Sequence, residues 1–143
     1  MGDGFEDVVA SRLRRLGQRL TPRRRRLLDV LARAGQPLTI TEILGRDGSL
    51  VMSSAYRNLV VLEQAGLVQR LSSGEGFARF ELREELTQHH HHLVCSSCGS
   101  VEDVPAEPAI EEAVTALASR LRAERFTPIG HRLDVFGLCS NCR

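Results

Sequence analysis

At 143 residues, 42% of them hydrophobic, the chain is long enough for one sizeable domain or two small ones and has the composition of an ordinary folded protein. No apolar stretch approaches the length of a transmembrane helix, so no membrane partner is expected. The net charge of +1 hides a polarity: Arg12 to Arg26 carries eight arginines and no acid, whereas Glu84 to Glu112 carries seven acids and no arginine. That split suggests a basic amino-terminal part that meets an anionic polymer and a carboxyl-terminal part with another task.

Phe5, Val8, Val9, Leu13 and Leu16 form the apolar stripe of a first helix, which Gly17 ends. Thr21-Pro22 reads as the N-cap and first position of a second helix, which turns Leu27, Leu28, Val30 and Leu31 inward until Gly35. A short helix over 39–44 and a turn over 45–50 follow. The next helix is expected to be capped by Ser53 or Ser54, to bury Leu59, Leu62 and Ala65, and to stop at Gly66. Residues 67–71 and 77–82 then make a hairpin over Ser72-Ser73-Gly74-Glu75-Gly76. Two short helices around a turn, followed by such a hairpin, predict a winged helix-turn-helix, a scaffold that reads DNA.

The helix starting near Ser54 exposes Ser54, Arg57, Asn58 and Gln64, with Tyr56 near its amino end. These side chains have the donors, acceptors and ring surface to meet base edges, although similar residues also keep any surface helix solvated. The Arg23 to Arg26 run, with Arg14, Arg15 and Arg19, reads as a phosphate-contacting surface, or else as a charged helix face packed through its aliphatic stems.

A second composition begins after the hairpin. Four consecutive histidines, His89 to His92, run into Cys95-x2-Cys98, and Cys139-x2-Cys142 closes the sequence. Two such pairs can wrap one tetrahedral Zn²⁺, because a two-residue spacer lets both thiolates reach the same ion. The alternative is two disulfides, but a bridge within Cys-x2-Cys is usually redox-active, and no signal-peptide pattern points to an oxidising compartment; a cytoplasmic setting is expected. On a strand, alternation sends His89 and His91 to one face and His90 and His92 to the other, so one strand could serve two further metal sites. The plainer alternative is a solvent-exposed polyhistidine tract. A return strand over 101–104, a helix opened by Pro105 and Pro108 and running to Phe126, and a strand over 131–138 complete the pattern. So little buried area makes a zinc staple and dimerisation physically expected.

Thr21-Pro22-Arg23-Arg24, the Ser54-Ala55-Tyr56-Arg57-Asn58-Leu59 helix, Arg79-Phe80-Glu81-Leu82, the histidine strand into Cys95-x2-Cys98-Gly99, and His131-x7-Cys139-x2-Cys142 together resemble the ferric uptake regulator (Fur) family of bacterial metal-responsive repressors. The resemblance covers nearly the whole chain in the same order. It implies an α+β fold, with a winged helix-turn-helix DNA-binding domain over 1–83 and a small α/β dimerisation domain with structural zinc over 84–143. It further implies a homodimer that grips an inverted repeat in double-stranded DNA only when a regulatory ion is bound.

Residue by residue, the resemblance assigns Cys95, Cys98, Cys139 and Cys142 to structural Zn²⁺. His90, His92 and Glu81, with Asp103, match the regulatory site, and His89, His91, Glu111 and His131 a further site in the dimerisation domain. Tyr56 and Arg57 match major-groove and phosphate contacts, and Arg19 a minor-groove contact.

Departures from the family pattern bear on specificity. Gln36-Pro37-Leu38 lacks a histidine that family members often supply, and Ser54-Ala55 stands where Thr-Val is commoner. The nitrogen and oxygen donors of the regulatory set suit Fe²⁺ or Mn²⁺ and tolerate Zn²⁺. Zinc sensors usually carry a cysteine and an aspartate where this chain has Arg83 and Gln69, and peroxide sensors usually carry Asp in place of Glu81. A peroxide-responsive regulator of the same family is one alternative, disfavoured by Glu81. A zinc hydrolase or deaminase is another, disfavoured because neither His-x-Glu nor His-Glu-x-x-His occurs; a zinc-stapled interaction module that senses nothing is a third.

Overall fold

A computed structural model describes residues 3–72 and 78–143. Helices α1 (Asp3–Arg15), α2 (Pro22–Ala34), α3 (Ile40–Arg46) and α4 (Met52–Gln64) pack Val9, Leu13, Leu27, Leu28, Ile43, Leu59 and Leu62 into one core. The ends of α2 follow from local chemistry: Thr21 Oγ1 accepts from the Arg24 amide, Pro22 fills the first turn, and Gly35 closes the helix at φ 63°. Thr39 and Glu42 form a reciprocal capping box on α3. The expected cap of α4 is not there. The helix begins at Met52, Val51 precedes it without a side-chain bond, and Ser54 Oγ donates back to the Val51 carbonyl at 3.1 Å. Burial of Leu50 and Ala55 fixes where the chain enters the core, and that packing rather than a serine sets the helix start.

Strands β1 (Leu38–Thr39), β2 (Val68–Ser72) and β3 (Ala78–Leu82) form an antiparallel sheet in the order β1-β3-β2. The turn expected over Ser73 to Gly76, with Phe77, lies outside the described residues. In the β2–β3 register Gln69 stands opposite Glu81. A 3-10 turn over Glu84–Leu86 leads into the second sheet.

The histidine strand β4 (His90–Cys95) is the centre of that second sheet, with β5 (Val101–Pro105) antiparallel on one side and β6 (Asp134–Gly137) parallel on the other. His92 therefore faces Asp103 and Asp134 in register. Between β5 and β6 runs α5 (Pro108–Ala123), which stops short of Phe126 because Arg125 takes a left-handed conformation at φ 66°. The last strand is likewise shorter than the 131–138 pattern and leaves His131 ahead of it. Helix α5 buries no residue, and Ile110, Leu117, Phe126, Val135, Phe136 and Leu138 all stand exposed. Exposed apolar side chains in such number are expected where a chain meets a partner.

Candidate metal centres and nucleic-acid face

The end of β4 and the carboxyl terminus bring the four cysteines together. Their sulfurs lie within 4.8 Å of one another, and no disulfide joins them. Cys98 and Cys139 are 3.8 Å apart, which matches the edge of about 3.8 Å that Zn–S bonds of about 2.3 Å give a tetrahedron. Backbone hydrogen bonds from Cys98 and Cys139 pull the Cys95 thiol down to about 6, so a thiolate is available at neutral pH. These donors fit a structural Zn²⁺.

Alternation along β4 separates the histidines as the strand pattern predicts: His90 and His92 share one face, and His89 and His91 the other. On the first face both Glu81 oxygens lie 3.2 Å from His92 Nε2, and Glu81 Oε2 is 3.3 Å from His90 Nε2. Asp103 completes the group at 3.8 Å from each ring. Its Oδ1 is buried without a hydrogen-bond partner, an arrangement that a cation in the centre would resolve.

The charges of this group are already coupled. Burial pushes the Glu81 carboxyl up, but the hydrogen bond and charge of His92, with Gln69 and His90, more than reverse this and hold it below its ordinary value. Burial pulls both rings down, yet His90 ends above its ordinary value through the Gln88 carbonyl, Asp103 and Glu81, as His92 does through Glu81, Asp134 and Asp103. Asp103 is raised, by burial first and by the charge of Glu81 beside it. Two carboxylates and two imidazoles with room for further ligands suit a divalent ion of the iron–manganese–zinc series.

On the opposite face His91 Nε2 lies 2.9 Å from Glu111 Oε1, His89 and His131 Nε2 each 3.3 Å from that oxygen, and the last two nitrogens 3.1 Å apart. Three imidazole nitrogens and one carboxylate oxygen make a second compact donor set. Glu111 comes from the first turn of α5, His131 from the segment before β6.

Several polar partners of these groups were not evident from motifs. Gln69 donates to Glu81, Glu84 lies 3.1 Å from His89 Nδ1, and Asp134 lies 3.1 Å from His92 Nδ1. Gln36, where the resemblance noted a missing histidine, lines a cavity of about 440 Å³ together with Glu81, His90 and Asp103. Arg79 of β3 reaches from the first sheet to the zinc loop, donating to the Gly99 carbonyl at 3.0 Å and to Glu42 at 3.0 Å.

The expected DNA-facing residues divide. Arg19, Arg23, Tyr56 and Arg57 are exposed, and a groove of about 670 Å³ is lined by Arg23, Ser54, Tyr56, Arg57 and Asn58. Arg24, expected on the phosphate-contacting surface, is turned inward and only 9% exposed. It donates to Asn58 Oδ1 at 2.9 Å, the Arg19 carbonyl at 2.6 Å and Gln18 Oε1 at 2.8 Å. Asn58 is committed in turn, its Nδ2 donating to the Ser54 carbonyl at 2.8 Å. The signal lay in the spacing, since Arg24 precedes Leu27, Leu28 and Leu31 on the same buried stripe of α2.

Residues 15–136 match the ferric uptake regulator family. The chain belongs to that family. The peroxide operon regulator of Bacillus subtilis (strain 168) is 31% identical over 134 residues, covering 91% of this chain and 88% of that protein. The ferric uptake regulator of Helicobacter pylori shares the fold at a TM-score of 0.74 and 24% identity, over 98% of this chain and 92% of that one. The Pseudomonas aeruginosa ferric uptake regulator, solved with manganese, superposes at a TM-score of 0.71 with 25% identity, over 93% and 98% of the two chains. As a Fur-family member this protein is a metal-dependent, DNA-binding transcriptional repressor with structural zinc and a regulatory divalent metal. Its family consists of transcriptional regulators that bind DNA as dimers. Among its described residues, no helix is long and apolar enough to cross a membrane.

Proposed function

We propose that this Fur-family protein works in the cytoplasm as a homodimer that represses metal-homeostasis genes by binding an inverted-repeat operator, and does so when a divalent ion occupies the Glu81, His90, His92 and Asp103 site. One observation carries the reading: Glu81 belongs to β3 of the first sheet, whereas His90, His92 and Asp103 belong to the second sheet. An ion held by all four ties the winged-helix domain, assigned to 1–83, to the dimerisation domain, assigned to 84–143. It favours whichever relative placement lets the ligands converge, and if that placement suits the operator, metal binding activates repression.

Cys95, Cys98, Cys139 and Cys142 hold the structural zinc in this reading, and His89, His91, Glu111 and His131 hold a further ion that steadies α5 against β4. Arg19, Arg23, Tyr56 and Arg57 face DNA, with Ser54, while Arg24 and Asn58 act from behind by fixing the recognition helix. The protein is not an enzyme. The regulatory donors suit Fe²⁺ or Mn²⁺ and tolerate Zn²⁺, and the Pseudomonas aeruginosa relative was solved with manganese. The test is operator binding by protein that keeps its structural zinc, titrated with Fe²⁺, Mn²⁺ and Zn²⁺; activation that survives Glu81→Ala would refute the site.

A second reading is favoured by the Bacillus subtilis relative, which is a peroxide operon regulator. Here the metal-loaded repressor would lose operator binding on exposure to hydrogen peroxide.

A further inference from the structure

The regulatory histidines need a defined orientation before they can serve an ion. His90 and His92 both present Nε2 to Glu81, so in each ring the other nitrogen must be accounted for. His90 Nδ1 meets the Gln88 carbonyl at 2.9 Å, a contact within its own stretch of chain. His92 is different. It is only 2% exposed, and its Nδ1 meets a carboxylate from another strand, Asp134 Oδ1 at 3.1 Å.

Asp134 is itself held. Arg132 donates Nε to Oδ1 at 2.9 Å, and its Nη2 lies 2.6 Å from Oδ2. The parallel register of β4 and β6 sets Asp134 directly beside His92. The same stretch supplies His131 to the second donor set and Cys139 to the cysteine cluster, so Asp134 sits on a segment pinned at both ends. An ionised carboxylate can only accept, and a neutral imidazole carries one N–H.

We propose that Asp134, clamped by Arg132, is the outer-sphere positioning residue of the regulatory site: it accepts the Nδ1–H of His92 and thereby fixes the ring with the Nε2 lone pair aimed at the ion. The proposal rests on the reading of Glu81, His90, His92 and Asp103 as that site. It makes β6 a working part of the sensor, although none of its residues touches the regulatory ion. Carboxylate–histidine–metal arrangements of this kind raise ligand basicity and hold the ring, and losing the outer partner typically costs roughly 10–100-fold in metal affinity.

The experiment is a Co²⁺ titration of zinc-retaining protein, followed by the visible absorption of the bound ion, for the wild type, His92→Ala, Asp134→Ala and Asp134→Asn. Asp134→Ala should bind Co²⁺ at the regulatory site roughly 10–100-fold more weakly. Zinc content, the dimer and the His89–His91 site should be unchanged. Asp134→Asn should recover most of the affinity, because its amide oxygen can still accept the Nδ1–H. Wild-type affinity in Asp134→Ala would overturn the proposal, as would an Asn variant as weak as the Ala variant, or loss of zinc and dimer in both. Wild-type affinity in His92→Ala would instead overturn the regulatory-site reading itself, and this proposal with it.

Discussion

Glu81 and His92 come from different sheets and meet with both carboxylate oxygens 3.2 Å from the ring Nε2. Glu81 is 5% exposed and His92 2%, so the contact is made away from water, where an uncompensated carboxylate is expensive. Without an ion the imidazoles supply the compensation; with one, the ion does. In the proposed reading, this exchange would make the junction between the sheets responsive to metal.

Replacing Glu81 by Gln or Ala should therefore uncouple the metal from DNA. Allosteric couplings of this kind are typically about 5–150-fold in affinity, and that whole factor should vanish while structural zinc remains. Operator binding with and without Mn²⁺, measured by fluorescence anisotropy, checks it.

The pH dependence of metal binding follows from the two rings. His90 and His92 sit above their ordinary value of 6.5 in the metal-free fold. Protons therefore compete with the ion up to a higher pH than for a free histidine: affinity is full above the raised value and falls as pH drops through it. In the metal-free fold the sign is opposite, since the stability from a raised histidine is present below the ordinary value and lost as pH rises through the raised one. Dissociation constants for Mn²⁺ measured across neutral pH should weaken steadily on acidification, and a flat profile would contradict the assignment.

Cys142→Ser should lose one zinc ion and the dimer together, because the second sheet and α5 bury too little to fold without the staple. Metal analysis and sedimentation of the same sample test this. A dimer with full zinc content would move the zinc elsewhere.

Arg24 and Arg57 should behave differently although both were expected to meet DNA. Removing Arg24 strips three internal acceptors of their donor, a loss of about 1.5–3 kcal/mol in stability at the scale of a charged hydrogen bond. Arg57→Ala should leave the melting temperature unchanged and reduce the salt slope of operator binding by about 1. Thermal melts and a salt series on both variants separate the roles.

What was legible in the sequence was whatever depends on local spacing. The cap at Thr21, the stripe of α2, the alternation of His89 to His92 and the pairing of the cysteines all follow from periodicity and short-range chemistry. Strand β1 was not legible, because two residues show no alternation and Leu38–Thr39 becomes a strand only by lying against β3. The ends of α4 and α5 were misplaced where packing or a left-handed Arg125, rather than a cap residue, sets the boundary. Partners such as Gln69 for Glu81, Asp134 for His92 and Gly99 for Arg79 depend on strand register and on the meeting of two sheets, which no single stretch of sequence encodes.

The most direct test of the central claim uses the reciprocity of linked binding. If metal and operator each favour the same placement of the two domains, the operator must tighten Mn²⁺ binding at the regulatory site by the same factor as Mn²⁺ tightens operator binding. Calorimetric titration of zinc-retaining protein with Mn²⁺, with and without operator DNA, measures one side of that equality, and anisotropy the other. The coupling predicts equal factors in the wild type and a factor of one in Glu81→Ala. Mn²⁺ binding to the wild type that is equally tight with and without the operator would contradict it.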